Sequence, residues 1–157
     1  SLARAARQPA ADAYEIRFSV CFLGKRLRFG GLGGEKHVRF FRRGQARFVG
    51  GALHEGLEIA GRVAGPLGGT MSHVPYADLS DYLAKLDRYT TLAAQKKQAA
   101  RVRFHWWHHV ILPWELAKRL LLRMAVLDGS AGISFAFLSA FHHWLKYVKL
   151  REMEKTR

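Results

Sequence analysis

Between Tyr14 and Phe22 the residues Tyr14, Ile16, Phe18 and Val20 occupy alternate positions. That period of two, in an aromatic and β-branched run, predicts a strand. His37 to Phe41 reads as a second strand, ended by Arg42-Arg43-Gly44. Arg47 to Val49 reads as a short third strand running into Gly50-Gly51, and one more short strand is expected between Arg62 and Ser72. Gly30 to Gly34 holds four glycines in five residues and predicts a loop. Ahead of the strands, Leu2 to Arg7 reads as the end of a helix stopped by Pro9.

From Asp78 the period becomes 3.6. Leu79, Tyr82, Leu83, Leu86, Tyr89 and Ala93 share one helical face, and the helix should run to about Ala100. Asp78 suits its N-cap, Asp81 its first turn, and Asp81 with Lys85 makes an i,i+4 pair. Val110 to Leu127 reads as one further helix, with Pro113 and Trp114 in its first turn. Its charges, Glu115, Lys118, Arg119 and Arg123, gather on one narrow stripe among apolar residues. After a break at Asp128-Gly129, Ile133 to Leu150 reads as the last helix. Strands followed by about three helices make an α+β chain, or the back end of an α/β domain.

Composition adds a partner class. The 157 residues hold 26 Lys+Arg against 12 Asp+Glu, a net charge of +14. With 49% hydrophobic and 12% aromatic residues, the chain is not a disordered basic tail. A single cysteine, Cys21, excludes an internal disulfide and a Cys-rich zinc site. The excess charge calls for a polyanion: nucleic acid, anionic lipid or phosphorylated substrate. It is divided unevenly. Residues 1–47 hold 11 basic and 3 acidic side chains, 48–95 hold 3 and 5, and 96–157 hold 12 and 4. Basic ends around a slightly acidic centre suggest a central site with separate contacts at either end. The longest apolar run, Ile133 to Leu145, has 13 residues. A crossing needs about 20, so no full membrane span is expected.

Several groups can carry chemistry, each with a plainer alternative. Glu55, beside His54 and between glycines, can serve as a general base, or as a charge on a solvated loop. His73 can ligate a metal, or hold a structural hydrogen bond near a strand end. Arg39, Arg42, Arg43 and Arg47 suit phosphate groups, or a charged strand edge that discourages aggregation. Three histidines within His105-Trp106-Trp107-His108-His109 share no helical face, which disfavours a metal site. With Trp114, Lys118, Arg119 and Arg123 further on, this segment reads as an interfacial membrane helix, with a buried core helix as its rival.

The strings Glu35-Lys-His-Val-Arg-Phe-Phe-Arg-Arg-Gly44 and Phe48-Val-Gly-Gly-Ala-Leu-His-Glu-Gly56 carry a resemblance. So do His73 to Leu83, Lys85 through Arg88-Tyr89-Thr90, Leu127 to Gly132 and Leu145 to Leu150. In this order and spacing, from about Tyr14 to Leu150, the chain resembles the C-terminal half of bacterial family 2 glycosyltransferases. The nearest type is the lipopolysaccharide-core β-1,4-glucosyltransferases.

The resemblance implies a GT-A fold. Residues 1–100 would be the acceptor side of its catalytic domain, and 101–157 a basic, amphipathic, membrane-associating region. It implies inverting transfer of a sugar from a nucleotide-diphosphate donor to a glycolipid acceptor. Glu55 would be the base, His73 a metal or diphosphate contact, and Arg39, Arg42, Arg43 and His54 the acceptor or phosphate contacts. A divalent metal, Mg or Mn, would be held mainly by a preceding nucleotide-binding half with an Asp-x-Asp motif. This chain has no Asp-x-Asp, and it starts at Ser1 rather than Met. A piece of a longer enzyme, inactive by itself, is therefore expected. The expected location is peripheral, on the cytoplasmic face of the inner membrane, with an anionic lipid surface as partner and no nucleic acid. A non-enzymatic peripheral membrane protein and a nucleic-acid-binding module are the alternatives.

Overall fold

The computed structural model describes residues 2–51 and 54–155, with only the backbone at 51, 54 and 55. The chain is mixed α and β, and it divides into two compact units. The first takes residues 1–20 and 32–73; the second takes 21–31 and 74–157.

The first unit is organised around β1 (Ala13–Phe22). The alternation read from the sequence is met in part: Tyr14, Ile16 and Val20 are buried and Phe18 half-buried, but Ala13 and Ser19 on the other face are buried as well. β3 (Lys36–Phe41) pairs antiparallel to β1, with a register shift between Tyr14 and Glu15. The region expected to hold one strand holds two, β6 (Val63–Ala64) and β7 (Thr70–His73), both parallel to β1. Such short strands carry too few residues for a period to register. β4 (Ala46–Gly51) and β5 (His54–Ile59) form a separate antiparallel pair. His54 and Glu55, read as loop residues, therefore have strand backbone; their side chains, and residues 52–53, lie outside the described residues. α1 (Leu2–Arg7) sets Ala5 beside Ala11 and Tyr14 in a small core with Phe40, Ala64 and Leu67. The Tyr14 hydroxyl accepts the Ala10 and Ala11 backbone N–H groups at 2.7 and 3.1 Å, so its polar end is satisfied.

In the second unit, Cys21 and Phe22 pair with β2 (Lys25–Arg26) around Leu23-Gly24. Both turn residues have positive φ, 48° and 73°, as a two-residue type I′ turn requires. α2 (Leu79–Ala99) starts as expected. The Asp78 carboxylate accepts the Asp81 N–H at 2.8 Å, and Asp81 accepts the Ala77 N–H and the Lys85 ammonium, each at 3.0 Å. Its buried stripe, however, is Tyr82, Leu86, Thr90 and Ala94. Leu79, Leu83 and Tyr89, expected on the covered face, are exposed. A strict spacing of four follows the line along which α2 packs against α4 (Gly129–Lys155). Thr90 fits that line because its hydroxyl donates to the Leu86 carbonyl at 2.7 Å. Fully covered Ala136 and Ala140 let the helix backbones approach closely. Lys149 crosses from α4 to the Asp87 carbonyl and carboxylate and the Thr91 hydroxyl, at 2.7–2.8 Å. Phe22, Tyr76, Tyr82 and Phe135 close this core, edge to face at 4.5–6.4 Å.

The helix expected over 110–127 is broken into pieces. A 3₁₀ turn (Trp106–Val110) leads into α3 (Ile111–Ala117), then a π turn (Lys118–Leu122) and a second 3₁₀ turn (Ala125–Asp128). Tertiary bonds compete for its groups. Gly30 donates its N–H to the Arg123 carbonyl at 2.8 Å, and the Arg119 guanidinium donates to the Gly30 carbonyl at 3.2 Å. Met124 then turns the chain at φ 53°. The buried Asp128 carboxylate accepts the Arg28 and Phe29 backbone N–H groups at 2.9 and 2.8 Å. A Cβ on Gly132 would run into the Ala125 carbonyl oxygen, so only glycine fits under this corner.

Replacing Asp128 by Ala orphans two backbone donors, at about 1–3 kcal/mol each. The urea midpoint should fall by at least twice as much as for Asp78→Ala, a cap loss of about 1 kcal/mol. Equal shifts would contradict the role assigned to Asp128.

Candidate functional site

The residues expected to carry the chemistry fall in the first unit. His73 ends β7, opposite Val20 of β1, and is exposed. Its ring stands edge-on to Phe18 at 6.0 Å, and His37 meets the same ring at 5.4 Å. Arg39, Arg42, Arg43 and Arg47 are all exposed. Two have intramolecular partners: Arg39 donates to the Val38 carbonyl at 3.1 Å, and Arg42 lies 3.8 Å from the Asp12 carboxylate. Asp12 also accepts the Arg62 N–H at 3.0 Å. Gly61, at φ 135°, lies against that carboxylate where a Cβ would clash. The Arg43 and Arg47 side chains have no hydrogen-bond or ion-pair partner among the described residues, although Arg47 stands opposite Glu58 in the β4–β5 ladder.

As to a metal, His73 offers one imidazole. Among the described residues no three His, Cys, Asp or Glu side chains converge. One imidazole can complete a divalent site but does not build one. The described residues by themselves therefore do not fit such an ion.

In the second unit the helical stripe departs from expectation at Arg119. Of its charged residues, Arg119 is buried and Glu115 and Lys118 are half-buried. Arg119 is 8% exposed, and the Glu115 carboxylate sits beside it, 3.7 Å from the guanidinium and 3.0 Å from the Lys118 ammonium. Arg119, expected among the basic residues facing lipid, is thus held inside by Gly30 and Glu115. Arg123 remains exposed, and its guanidinium lies over Gly31. Ile111, Leu112, Leu116 and Leu120 are half-buried, but part of the apolar set faces outward: Trp106, Trp114, Leu121 and Leu122 are 74%, 61%, 72% and 74% exposed, with Trp107 and Val110 alongside. From Val110 on, these positions recur at spacings of four and seven.

The histidines of this segment have structural partners. His108 closes the 3₁₀ turn: its Nδ1 accepts the His105 N–H at 2.8 Å, and its ring stacks on Tyr147 at 4.1 Å. His109 Nδ1 accepts the Trp144 indole N–H at 3.2 Å. His105 stacks flat on Trp107 at 4.1 Å. Burial lowers the pKa of His108. Beneath the turn lies a titratable group that periodicity does not reveal, because its members come from two helices. Burial, then Lys146, pushes His143 down to about 4, although Glu115 opposes the shift. His142 is lowered by the same burial and by Lys146. Burial likewise lowers Arg119 against the pull of Glu115. Burial would raise Glu115, but Lys118, His143 and Arg119 outweigh it and hold the carboxylate below its usual range.

Sequence reasoning also missed a cleft of about 750 Å³ at the C-terminal end of α2, lined by Gln98, Arg101, Val102, Arg103, Phe104, His105 and Glu154. The only available signal was Arg101 and Arg103 just before the tryptophan pair. The helical stretch Ala125–Lys155, which contains α4, is long and apolar enough, by length and composition, to cross a membrane, a test that the core helix of a soluble protein also passes. Here α4 contributes buried Ala131, Gly132, Ala136, Ala140 and Leu150 to the second unit.

No family model matches the chain, and no solved structure matches it.

The half-buried His143 gives the second unit an acid-sensitive stability. An unfolded His143 takes up a proton near pH 6.5, whereas the folded one does so only near 4. The neutral form favours folding, so stability is complete above about pH 6.5 and declines as pH falls toward 4. The melting temperature should drop across that window, and His143→Gln should flatten the slope. An unchanged slope would contradict the assignment.

Proposed function

We propose that this chain is the acceptor-side part of an inverting glycosyltransferase of GT-A type, acting on a glycolipid at an anionic membrane surface. One observation carries the membrane half of this reading: between 106 and 122 Trp106, Trp107, Val110, Trp114, Leu121 and Leu122 are exposed, while Arg119 is buried and Glu115 half-buried beside it. A protein surface in water orders these classes the other way. Full burial of each such side chain is worth about 1.5–3 kcal/mol, so half-burying four gains about 3–6 kcal/mol at an interface. The +14 charge adds attraction to the anionic leaflet, which supports the cytoplasmic face of a bacterial inner membrane as the location.

The chemical half rests on the order of the motifs from Glu35 to Leu150. In this reading Glu55 takes the proton from the acceptor hydroxyl as that oxygen attacks the anomeric carbon from the face opposite the departing nucleoside diphosphate. Arg43 and Arg47 would hold phosphate on donor or acceptor, a role that their unpartnered guanidinium groups support. Mg or Mn, when bound, would stabilise the leaving diphosphate, with most of its ligands outside this chain.

Two measurements test the halves separately. Glu55→Gln, in a protein joining this chain to a nucleotide-sugar-binding half, should lower kcat by about 10²–10⁴ with little change in KM. Full activity would remove Glu55 as the base. Trp106→Ser with Trp114→Ser should abolish co-sedimentation with phosphatidylglycerol vesicles, and persistence would remove the membrane face. Vesicle binding by a protein that transfers no sugar would favour the non-enzymatic alternative. Binding to nucleic acid with a steep salt slope would favour the remaining one.

A further inference from the structure

The cleft at the end of α2 has no part in the sugar-transfer chemistry, yet its lining is chemically specific. Arg101 and Arg103 are exposed, and among the described residues neither guanidinium has a hydrogen-bond or ion-pair partner. The one acid in the lining, Glu154, is engaged by the wall itself, accepting the Phe104 backbone N–H at 3.0 Å. Arg151 lies over the Phe104 ring at 5.2 Å and adds a further positive charge beside the cleft. The helix end does not present bare carbonyls. Ala100, Arg101 and Val102 donate their N–H groups back to Lys96, Gln98 and Lys97. This is a Schellman ending, and its left-handed position, normally glycine, is occupied by Arg101 at φ 56°. A side chain there costs about 1 kcal/mol relative to glycine. Backbone strain of this kind collects at binding sites. The cleft is also continuous with the apolar face, because His105 lines it and stacks on exposed Trp107.

We infer that this cleft binds the phosphate of an anionic lipid headgroup, with Arg101 and Arg103 as its ligands. The inference rests on the membrane reading above and adds what that reading lacks: a discrete headgroup site rather than a diffuse basic surface. The phosphate group could arrive on a lipid or on a soluble ester, and the tryptophan turn next to the cleft favours the lipid.

The test uses the whole chain and the intrinsic tryptophan fluorescence change on titration with vesicles. Phosphatidylcholine vesicles are compared with vesicles also containing phosphatidylglycerol. The variant is Arg101→Gly with Arg103→Gln. Glycine suits the backbone at 101, so the melting temperature should hold or rise, which separates loss of the site from misfolding. The charge-matched control is Lys25→Gln with Arg88→Gln, in the same unit and away from the cleft lining. The site predicts that the variant loses more affinity for the anionic vesicles than the roughly 30-fold that two charges are worth in a diffuse surface field. It also predicts that the variant keeps its affinity for neutral vesicles, and that the control changes severalfold less. Equal losses in variant and control would overturn the site in favour of a diffuse field. Wild-type binding to both vesicle types without preference would overturn it while leaving the membrane face standing. If the wild type binds no vesicle, the membrane reading fails. Stabilisation by inorganic phosphate that is then lost in the variant would reassign the cleft to a soluble ester and overturn the lipid assignment.

Discussion

The second unit depends on one buried carboxylate. Asp128 is 3% exposed, and its Oδ2 accepts two consecutive backbone N–H groups from residues 28 and 29, about a hundred positions earlier. A buried charge persists only where hydrogen bonds satisfy it. Two N–H donors on one oxygen leave the 27–31 segment little freedom. Around this contact the Gly30 N–H takes the Arg123 carbonyl and the Gly30 carbonyl takes the Arg119 guanidinium. These three contacts hold the segment after β2 against the corner between α3 and α4.

The clasp also decides which way the helical stripe faces. Arg119 can reach the Gly30 carbonyl only by turning inward, and Glu115, one turn earlier on the same face, turns in with it. Trp114, Leu121 and Leu122 are then left on the outer side. The exposed apolar surface is therefore a consequence of turning Glu115 and Arg119 inward. The pairing has a cost, since the Arg119 Nε atom is buried without a hydrogen bond and the guanidinium pKa is depressed by burial. Such a network is weak evidence for added stability, but it fixes the orientation of the segment.

Much of the fold was legible because local signals agreed with the tertiary outcome. The alternation in β1, the Asp78 cap and the Asp81–Lys85 pair all stand where the pattern set them. What escaped the sequence was decided at long range. The break at Met124 is set by Gly30 and Asp128, and nothing within a helical window signals it. The same clasp drew Arg119 inward, because periodicity finds two faces but does not say which one is covered. The short strands β6 and β7 exist only as partners of β1. Of the candidate site, Arg43 and Arg47 were legible as open cations. Arg42 proved tied to Asp12, and Arg101 gained meaning only once the backbone showed it in a position that favours glycine.

The central claim is that the outer side of the 106–122 segment meets a bilayer. Depth-dependent quenching by brominated phospholipids tests it most directly, applied to variants that each retain one tryptophan. Trp106, Trp107 and Trp114 should be quenched most strongly by bromines near the headgroup end of the acyl chain. Trp144, held by His109 beneath the turn, should be quenched little. Equal and weak quenching of all four tryptophans would contradict the account.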